Sequence, residues 1–135
     1  MNTAERDKFL SEPNTAVLAT VDAKGRAHAV PVWYLWDGEV FEIIGGKTSA
    51  KFRHVEATGR AALCVDKRGD GAFHVTAEGP VELGGTSTPE WRLKLHTHYR
   101  GAEQAEKIVA RGGHEGQRLM TLRPERWYAW PDALE

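Results

Sequence analysis

The sequence predicts a mainly β protein, an α+β fold in which six antiparallel strands form a small closed or split barrel with short helices. Turn signals at residues 22–25 and 37–38 connect consecutive strand-like segments. Residues 73–83 alternate apolar and polar side chains, as in a half-buried strand. No G-x-G-x-x-G or Walker A motif follows a strand, which disfavours layers of βαβ units.

The strand prediction follows from β-branched and aromatic segments bounded by Gly, Pro and Asp. The predicted strands are residues 15–21, 26–36, 39–45, 60–66, 73–83 and 116–130. The first three form a meander because the turns between them are short. The last is interrupted at Pro124, since proline cannot donate a hydrogen bond to a neighbouring strand.

Capping residues mark the predicted helices. A short helix spans residues 3–11 and ends before Pro13. A second begins at Thr48 or Ser49 and runs to Thr58, with Gly59 in the left-handed position that follows a helix. A third begins after the N-cap Thr88, and a fourth covers residues 102–111.

Length and charge limit the classes of protein to consider. The chain has 135 residues, which predicts a single domain over residues 1–135. Its 18 Lys and Arg and 19 Asp and Glu give a net charge of -1, so binding to nucleic acid or to an anionic membrane is not expected. The lone Cys64 and the absence of a long apolar segment favour a cytoplasmic protein.

No metal site and no catalytic side chain is predicted. The six histidines, at positions 28, 54, 74, 96, 98 and 114, do not show the spacing of a metal-ligand motif. His96 and His98 are two residues apart on a helix and therefore do not face each other.

The segment GGKTSAKFRHVEATGR, residues 45–60, is the first candidate binding site. It places hydroxyl and basic side chains at the start of a predicted helix and has no acid before Glu56. A helix N-terminus has free N–H groups and a partial positive charge, so Ser49 and Lys51 would hold a phosphate there. The alternative is a solvated basic helix without a ligand.

Residues 9–66 resemble the core of the pyridoxamine 5′-phosphate oxidase-like family, the split β-barrel flavin and deazaflavin (coenzyme F420) oxidoreductases. The resemblance rests on an ordered series of motifs: the D-x-x-G turn at 22–25, Pro31-Val32-Trp33, Ser49-Ala50-Lys51, and the strand over residues 60–65. Residues 73–83 and the terminal RPERWYAW resemble the strands that follow in the family. The resemblance implies an FMN-binding split-barrel type of fold.

The resemblance also implies a homodimer with FMN or coenzyme F420 at its interface. Ser49 and Lys51 would hold the cofactor phosphate, and the second strand would pass along the ring. The cofactor-binding residues that it implies are His28, Val30, Pro31, Val32, Trp33, Ile44, Gly45, Lys47, Thr48, Ser49, Lys51, Arg53 and Trp127.

The choice between FMN and F420 stays open. FMN-binding members of the family often carry Arg where this sequence has His28, and deazaflavin-binding relatives often carry an extra basic residue where it has Ser49. The expected activity is oxidation or reduction of a small organic substrate. Reduction is favoured over oxidation of pyridoxamine phosphate, because the C-terminal third has no basic cluster for a second phosphate. The alternatives are a non-catalytic carrier or sensor of flavin or haem, and a barrel without a cofactor.

Overall fold

The computed structural model describes residues 1–131 and shows a curled antiparallel sheet with short helices around it. The strands are β1 Ala16–Val21, β2 Ala27–Val32, β3 Tyr34–Trp36, β4 Phe41–Gly46, β5 Arg60–Lys67, β6 Phe73–Thr86, β7 Gln117–Leu122 and β8 Arg126–Trp130. The helices are α1 Thr3–Leu10, α2 Ala50–Thr58, α3 Pro89–Arg100 and α4 Ala102–Ala110, with a 3-10 turn at His114–Gly116.

One long strand joins the two halves of this split β-barrel. The strand order is β2-β1-β5-β6-β7-β4-β3, and β8 pairs with β6 outside this path. The first part of β6 pairs with β5 and β8, whereas residues from Val81 onward pair with β7. The 14 residues of β6 therefore belong to both halves.

The prediction of a mainly β split barrel is confirmed, but eight strands replace the predicted six. The predicted strand 26–36 divides at Trp33, because β2 pairs with β1 while β3 pairs with β4 in the other half. The predicted strand 116–130 divides around Pro124. There β7 leaves its partners after Leu122, and β8 begins at Arg126 along the first part of β6.

The core fills the interior of the curled sheet. Leu18, Leu63, Ile43, Met120 and Leu122 are each fully buried in it. Alternation along β1 and β5 places the neighbouring side chains on the outside, so one face of each of these two strands excludes water. Burial of such side chains is the main source of stability for a domain of this size.

Hydrogen bonds of the buried Tyr34 and the half-buried Tyr99 attach α1 and α3 to the barrel. The Tyr34 hydroxyl donates to the carbonyl oxygen of Leu10 at 2.8 Å. The Tyr99 hydroxyl donates to the carbonyl oxygen of Asn14 at 2.6 Å and accepts from the backbone N–H of Tyr34 at 3.1 Å. Burial raises the pKa of Tyr99 to about 12, so this hydroxyl keeps its proton.

Helix α2 packs on the sheet beside β1. Phe52 and Val55 are buried against the core. Gly59 ends the helix with a φ of 74°, the left-handed conformation predicted for it. This packing holds the N-terminus of α2 beside β1 and β2, where the candidate site lies. No helix within residues 1–131 is both long and apolar enough to cross a membrane.

Candidate functional site

A cleft of about 190 Å³ lies between the first hairpin and the N-terminus of α2. Its lining combines hydroxyl, imidazole and ammonium groups with small apolar side chains. The lining residues are Thr20, His28, Ala29, Val30, Ser49, Ala50, Lys51 and His54. They come from the β1–β2 hairpin and from the start of α2, which are separated in the chain by β3 and β4.

Ser49 is the N-cap residue of α2, yet its side chain does not cap the helix. Its Oγ is buried and has no hydrogen-bond partner within the described chain. A buried hydroxyl without a partner is unfavourable, and most such groups in folded proteins are satisfied. The Ser49 hydroxyl is therefore available to a ligand that enters the cleft.

Lys51 brings a positive charge into the same cleft. Its side chain is half-buried, and burial lowers the pKa of its ammonium group. Among residues 1–131, no carboxylate lies within salt-bridge distance of it; its Nζ lies 5.5 Å from the ring centroid of Phe52. A partly desolvated cation without an acidic partner favours the binding of an anion.

Gly45 explains how Lys51 reaches this position. A β-carbon at Gly45 would overlap Cε and Nζ of Lys51 and would lie 3.0 Å from Cε2 of Phe52. Glycine in β4 therefore leaves the space that the end of the lysine side chain occupies.

Two histidines, His28 and His54, also line the cleft. His54 is buried, and its Nδ1 lies 2.9 Å from the Thr20 hydroxyl. Burial, and secondarily the nearby His28, lower the pKa of His54, so its neutral form is favoured. The two imidazole rings are 4.2 Å apart between centroids.

The predicted residues Lys47, Thr48 and Arg53 surround the N-terminus of α2 without lining this cleft. Arg53 donates from Nη1 to the carbonyl oxygen of Thr48 at 2.7 Å. Lys47 lines a neighbouring open cleft with Arg118 and residues 84–86. The side chains of Lys47 and Arg118 therefore place two cations at this second cleft, and Lys47 is only two residues before Ser49 in the chain.

The remaining predicted residues lie on several sides of the barrel. Pro31 is exposed on the outer face of the sheet opposite Val17, and Val32 is buried in the core. Trp33 stacks on Tyr99 with ring centroids 4.2 Å apart. Ile44 in β4 is half-buried.

Trp127 packs away from the cleft of its own chain. Its ring lies 5.8 Å from that of Trp36 between centroids, and the Arg6 guanidinium lies 4.2 Å above it. The assignments of Trp33 and Trp127 to cofactor binding stay predictions.

Sequence reasoning did not assign Thr20 or His54 to the site. Thr20 is buried at an inward-facing position of β1. The available sequence signal was a hydroxyl residue at a position where the alternation of the strand predicts an apolar one. His54 lies on the face of α2 that packs on the sheet, three residues after Lys51. The helical period places Lys51 and His54 on the same side of α2. Only the packing of α2 on β1 brings Thr20 to His54.

The fold and the lining of the cleft define a split β-barrel protein with a cation and free hydroxyl at a helix N-terminus. The chain belongs to the pyridoxamine 5′-phosphate oxidase family, whose model matches residues 3–131. The resemblance identified from the sequence motifs is thereby confirmed. A comparison with curated proteins finds no match.

Solved structures share this fold along nearly their whole length. An F420 reductase is 24% identical with a TM-score of 0.73, over 90% of this chain and 94% of that one. A conserved hypothetical protein from Mycobacterium tuberculosis is 22% identical with a TM-score of 0.78, over 96% and 84%. HutZ, the haem storage protein from Vibrio cholerae, is 17% identical with a TM-score of 0.70, over 95% and 94%. At these sequence identities, the similarity shows a shared fold and not a shared function.

Proposed function

We propose that the protein is a flavin-type oxidoreductase that binds FMN or coenzyme F420 in this cleft, at a homodimer interface. The observation that carries the proposal is the buried, unpartnered Ser49 hydroxyl beside the unpaired Lys51 ammonium at the start of α2. Phosphate accepts hydrogen bonds from hydroxyl, ammonium and free helix N–H groups, so its chemistry matches this set.

The residues present fit such a cofactor. Ser49, Lys51 and the free N–H groups of α2 would hold the phosphate, and Val30 supplies an apolar surface in the same cleft. When bound, the cofactor supplies hydride or two-electron chemistry, and the protein supplies anchorage and electrostatics. Lys47 and Arg118 in the neighbouring cleft would favour the longer anionic tail of F420.

The homodimer is supported by an apolar surface beside the cleft, which we call the outer apolar face. It consists of outward-facing, exposed residues of β1 and β2: Val17, Ala19, Val21, Ala27, Ala29 and Pro31. Contiguous exposed apolar surface often marks a protein interface. Ala29 also lines the cleft, so a second copy that covers this face would border the cofactor.

The first test is a titration of the purified protein with FMN and with F420, side by side, followed by cofactor fluorescence. Lys51→Ala and Ser49→Ala should each weaken binding of the preferred cofactor by about 5- to 150-fold, because a charge-assisted hydrogen bond contributes about 1–3 kcal/mol. Lys107→Ala is the matched control, since Lys107 is an exposed lysine on α4 paired with Glu103.

Unchanged affinity in both Ser49→Ala and Lys51→Ala would refute the phosphate site. Because Ser49 Oγ has no hydrogen-bond partner in the part of the chain that the structure describes, Ser49→Ala should also leave the melting temperature unchanged or raised without cofactor. If the cofactor binds tightly but its reduced form is not reoxidised by any small acceptor, the protein is a carrier or sensor rather than an enzyme.

A further inference from the structure

Three potential metal ligands meet at one end of the cleft: Asp22, His28 and His54. Each offers one ligand atom, and the three atoms lie within 4.8 Å of one another. Asp22 follows β1, His28 lies in β2 and His54 in α2, so no spacing motif in the sequence connects them. Within residues 1–131 this is the one group of three His, Cys or acidic side chains with this geometry.

Each of the two imidazoles has a nitrogen atom that could bind a metal ion, and that of His28 already faces the Asp22 carboxylate. The Nδ1 of His54 is engaged with the Thr20 hydroxyl at 2.9 Å, which leaves Nε2 for a metal ion. Nε2 of His28 lies 3.2 Å from Oδ2 of Asp22. When Nδ1–H of His54 donates to the Thr20 hydroxyl, Nε2 keeps its lone pair, and such a bond fixes the ring orientation and tautomer of a metal-binding histidine.

The Asp22 carboxylate is held in place by the turn between β1 and β2. Its Oδ1 accepts from the backbone N–H groups of Lys24 at 2.9 Å and Arg26 at 3.0 Å. The hydrogen bond from the Arg26 backbone, above all, holds the pKa of Asp22 well below its usual range, so the group is a carboxylate.

Arg26 is the group that a metal ion would displace. Its Nε lies 2.9 Å from Oδ2 of Asp22, while its side chain is 69% exposed. Because the guanidinium is solvated, its ion pair with Asp22 contributes less to stability than a buried one would, and a metal ion could replace it. The guanidinium is free to turn into solvent, because the turn itself depends on the backbone N–H of Arg26 and not on its side chain.

We propose that Asp22, His28 and His54 bind a divalent transition-metal ion of the Zn²⁺ class. Two imidazoles and one carboxylate suit Zn²⁺, Co²⁺ and Ni²⁺, and three protein ligands leave a coordination position open. That position would face the cleft, since His28 and His54 line it together with Ser49 and Lys51. Bonds of about 2.0–2.1 Å require the ligand atoms to approach more closely, which the exposed His28 side chain permits.

The test uses the full chain, treated with a chelator and then dialysed, without FMN or F420. Co²⁺ is added and followed by visible absorption, and Zn²⁺ binding is measured by calorimetry. We expect one ion per chain, a cobalt spectrum of low coordination number, and a higher melting temperature with Zn²⁺. His28→Ala and Asp22→Asn should each weaken binding by at least about tenfold.

His98→Ala is the matched control, because His98 lies on α3 outside the cluster. His28 is exposed, so its replacement should leave the fold intact, which circular dichroism checks. The proposal is overturned if neither metal ion binds the wild type, or if His28→Ala and Asp22→Asn bind as tightly as His98→Ala. Either result leaves the flavin titration unaffected, because the metal site does not depend on the cofactor.

Discussion

Gly45 is the residue on which the position of the Lys51 ammonium depends. The end of the lysine side chain occupies the place where a β-carbon would stand at residue 45. Gly46, the next residue of β4, has open space at its β-carbon position. A methyl group at residue 45 would therefore displace the lysine side chain, whereas one at residue 46 would displace nothing.

Gly45→Ala should weaken cofactor binding nearly as much as Lys51→Ala, because the added methyl group displaces the lysine side chain from the cleft. Fluorescence titration with FMN and F420 measures the effect. Gly46→Ala is the control and should bind like the wild type. If Gly45→Ala binds the cofactor as tightly as Gly46→Ala and the wild type, the position of Lys51 does not matter for binding.

Strand β6 is the element that joins the two halves of the barrel, and Gly79 lies where its partners change. The segment between β7 and β8 crosses β6 at this point. Arg123 donates its backbone N–H to the carbonyl oxygen of Pro80 at 3.1 Å, and Glu125 donates to that of Glu78 at 2.8 Å. A β-carbon at Gly79 would overlap the carbonyl oxygen of Arg123 and lie 3.0 Å from the backbone nitrogen of Glu125.

Gly79→Ala should lower the free energy of unfolding by roughly 1–3 kcal/mol or more, because a methyl group meets backbone atoms that cannot rotate away. Chemical denaturation measures the change. Gly85→Ala, in the same strand, has open space and should differ little from the wild type. A similar loss in both variants would indicate a general intolerance of β6 to alanine instead of a contact at the crossing.

At the level of the whole molecule, the outer apolar face is an apolar surface that the isolated chain leaves exposed next to the cleft. Val17 pairs with Pro31 on one side and Cys64 on the other, so it lies within this face rather than at its border. The face adjoins the cleft through Ala29. A dimer formed through this surface would therefore connect assembly to cofactor binding.

Val17→Glu should shift the proposed homodimer to monomer, because it would place a charge without a partner in the apolar interface that we propose. Sedimentation or light scattering measures the mass over a range of concentrations. Leu93→Glu is the control: Leu93 on α3 is 38% exposed and Val17 is 41% exposed. A Val17→Glu protein that remains a dimer would exclude this face as the interface.

Local patterns account for much of the fold. Gly59 ends α2 and Thr88 begins α3, as their sequence contexts predict, because capping depends on a few consecutive residues. The alternation over residues 73–83 likewise specifies a half-buried strand. The division of strand 26–36 at Trp33 was not predictable in this way, because it depends on β1 and β4 lying in different halves of the barrel.

Within the site, local sequence predicted a helix start at Thr48 or Ser49 with Lys51 next to it, because capping patterns and the order of motifs are properties of neighbouring residues. Only the folded chain shows that Ser49 is the cap residue and that its hydroxyl is buried without a partner among residues 1–131. The tertiary structure alone brought Asp22, His28 and His54 together, because contacts between distant segments depend on how α2 packs on the first hairpin and not on residue spacing.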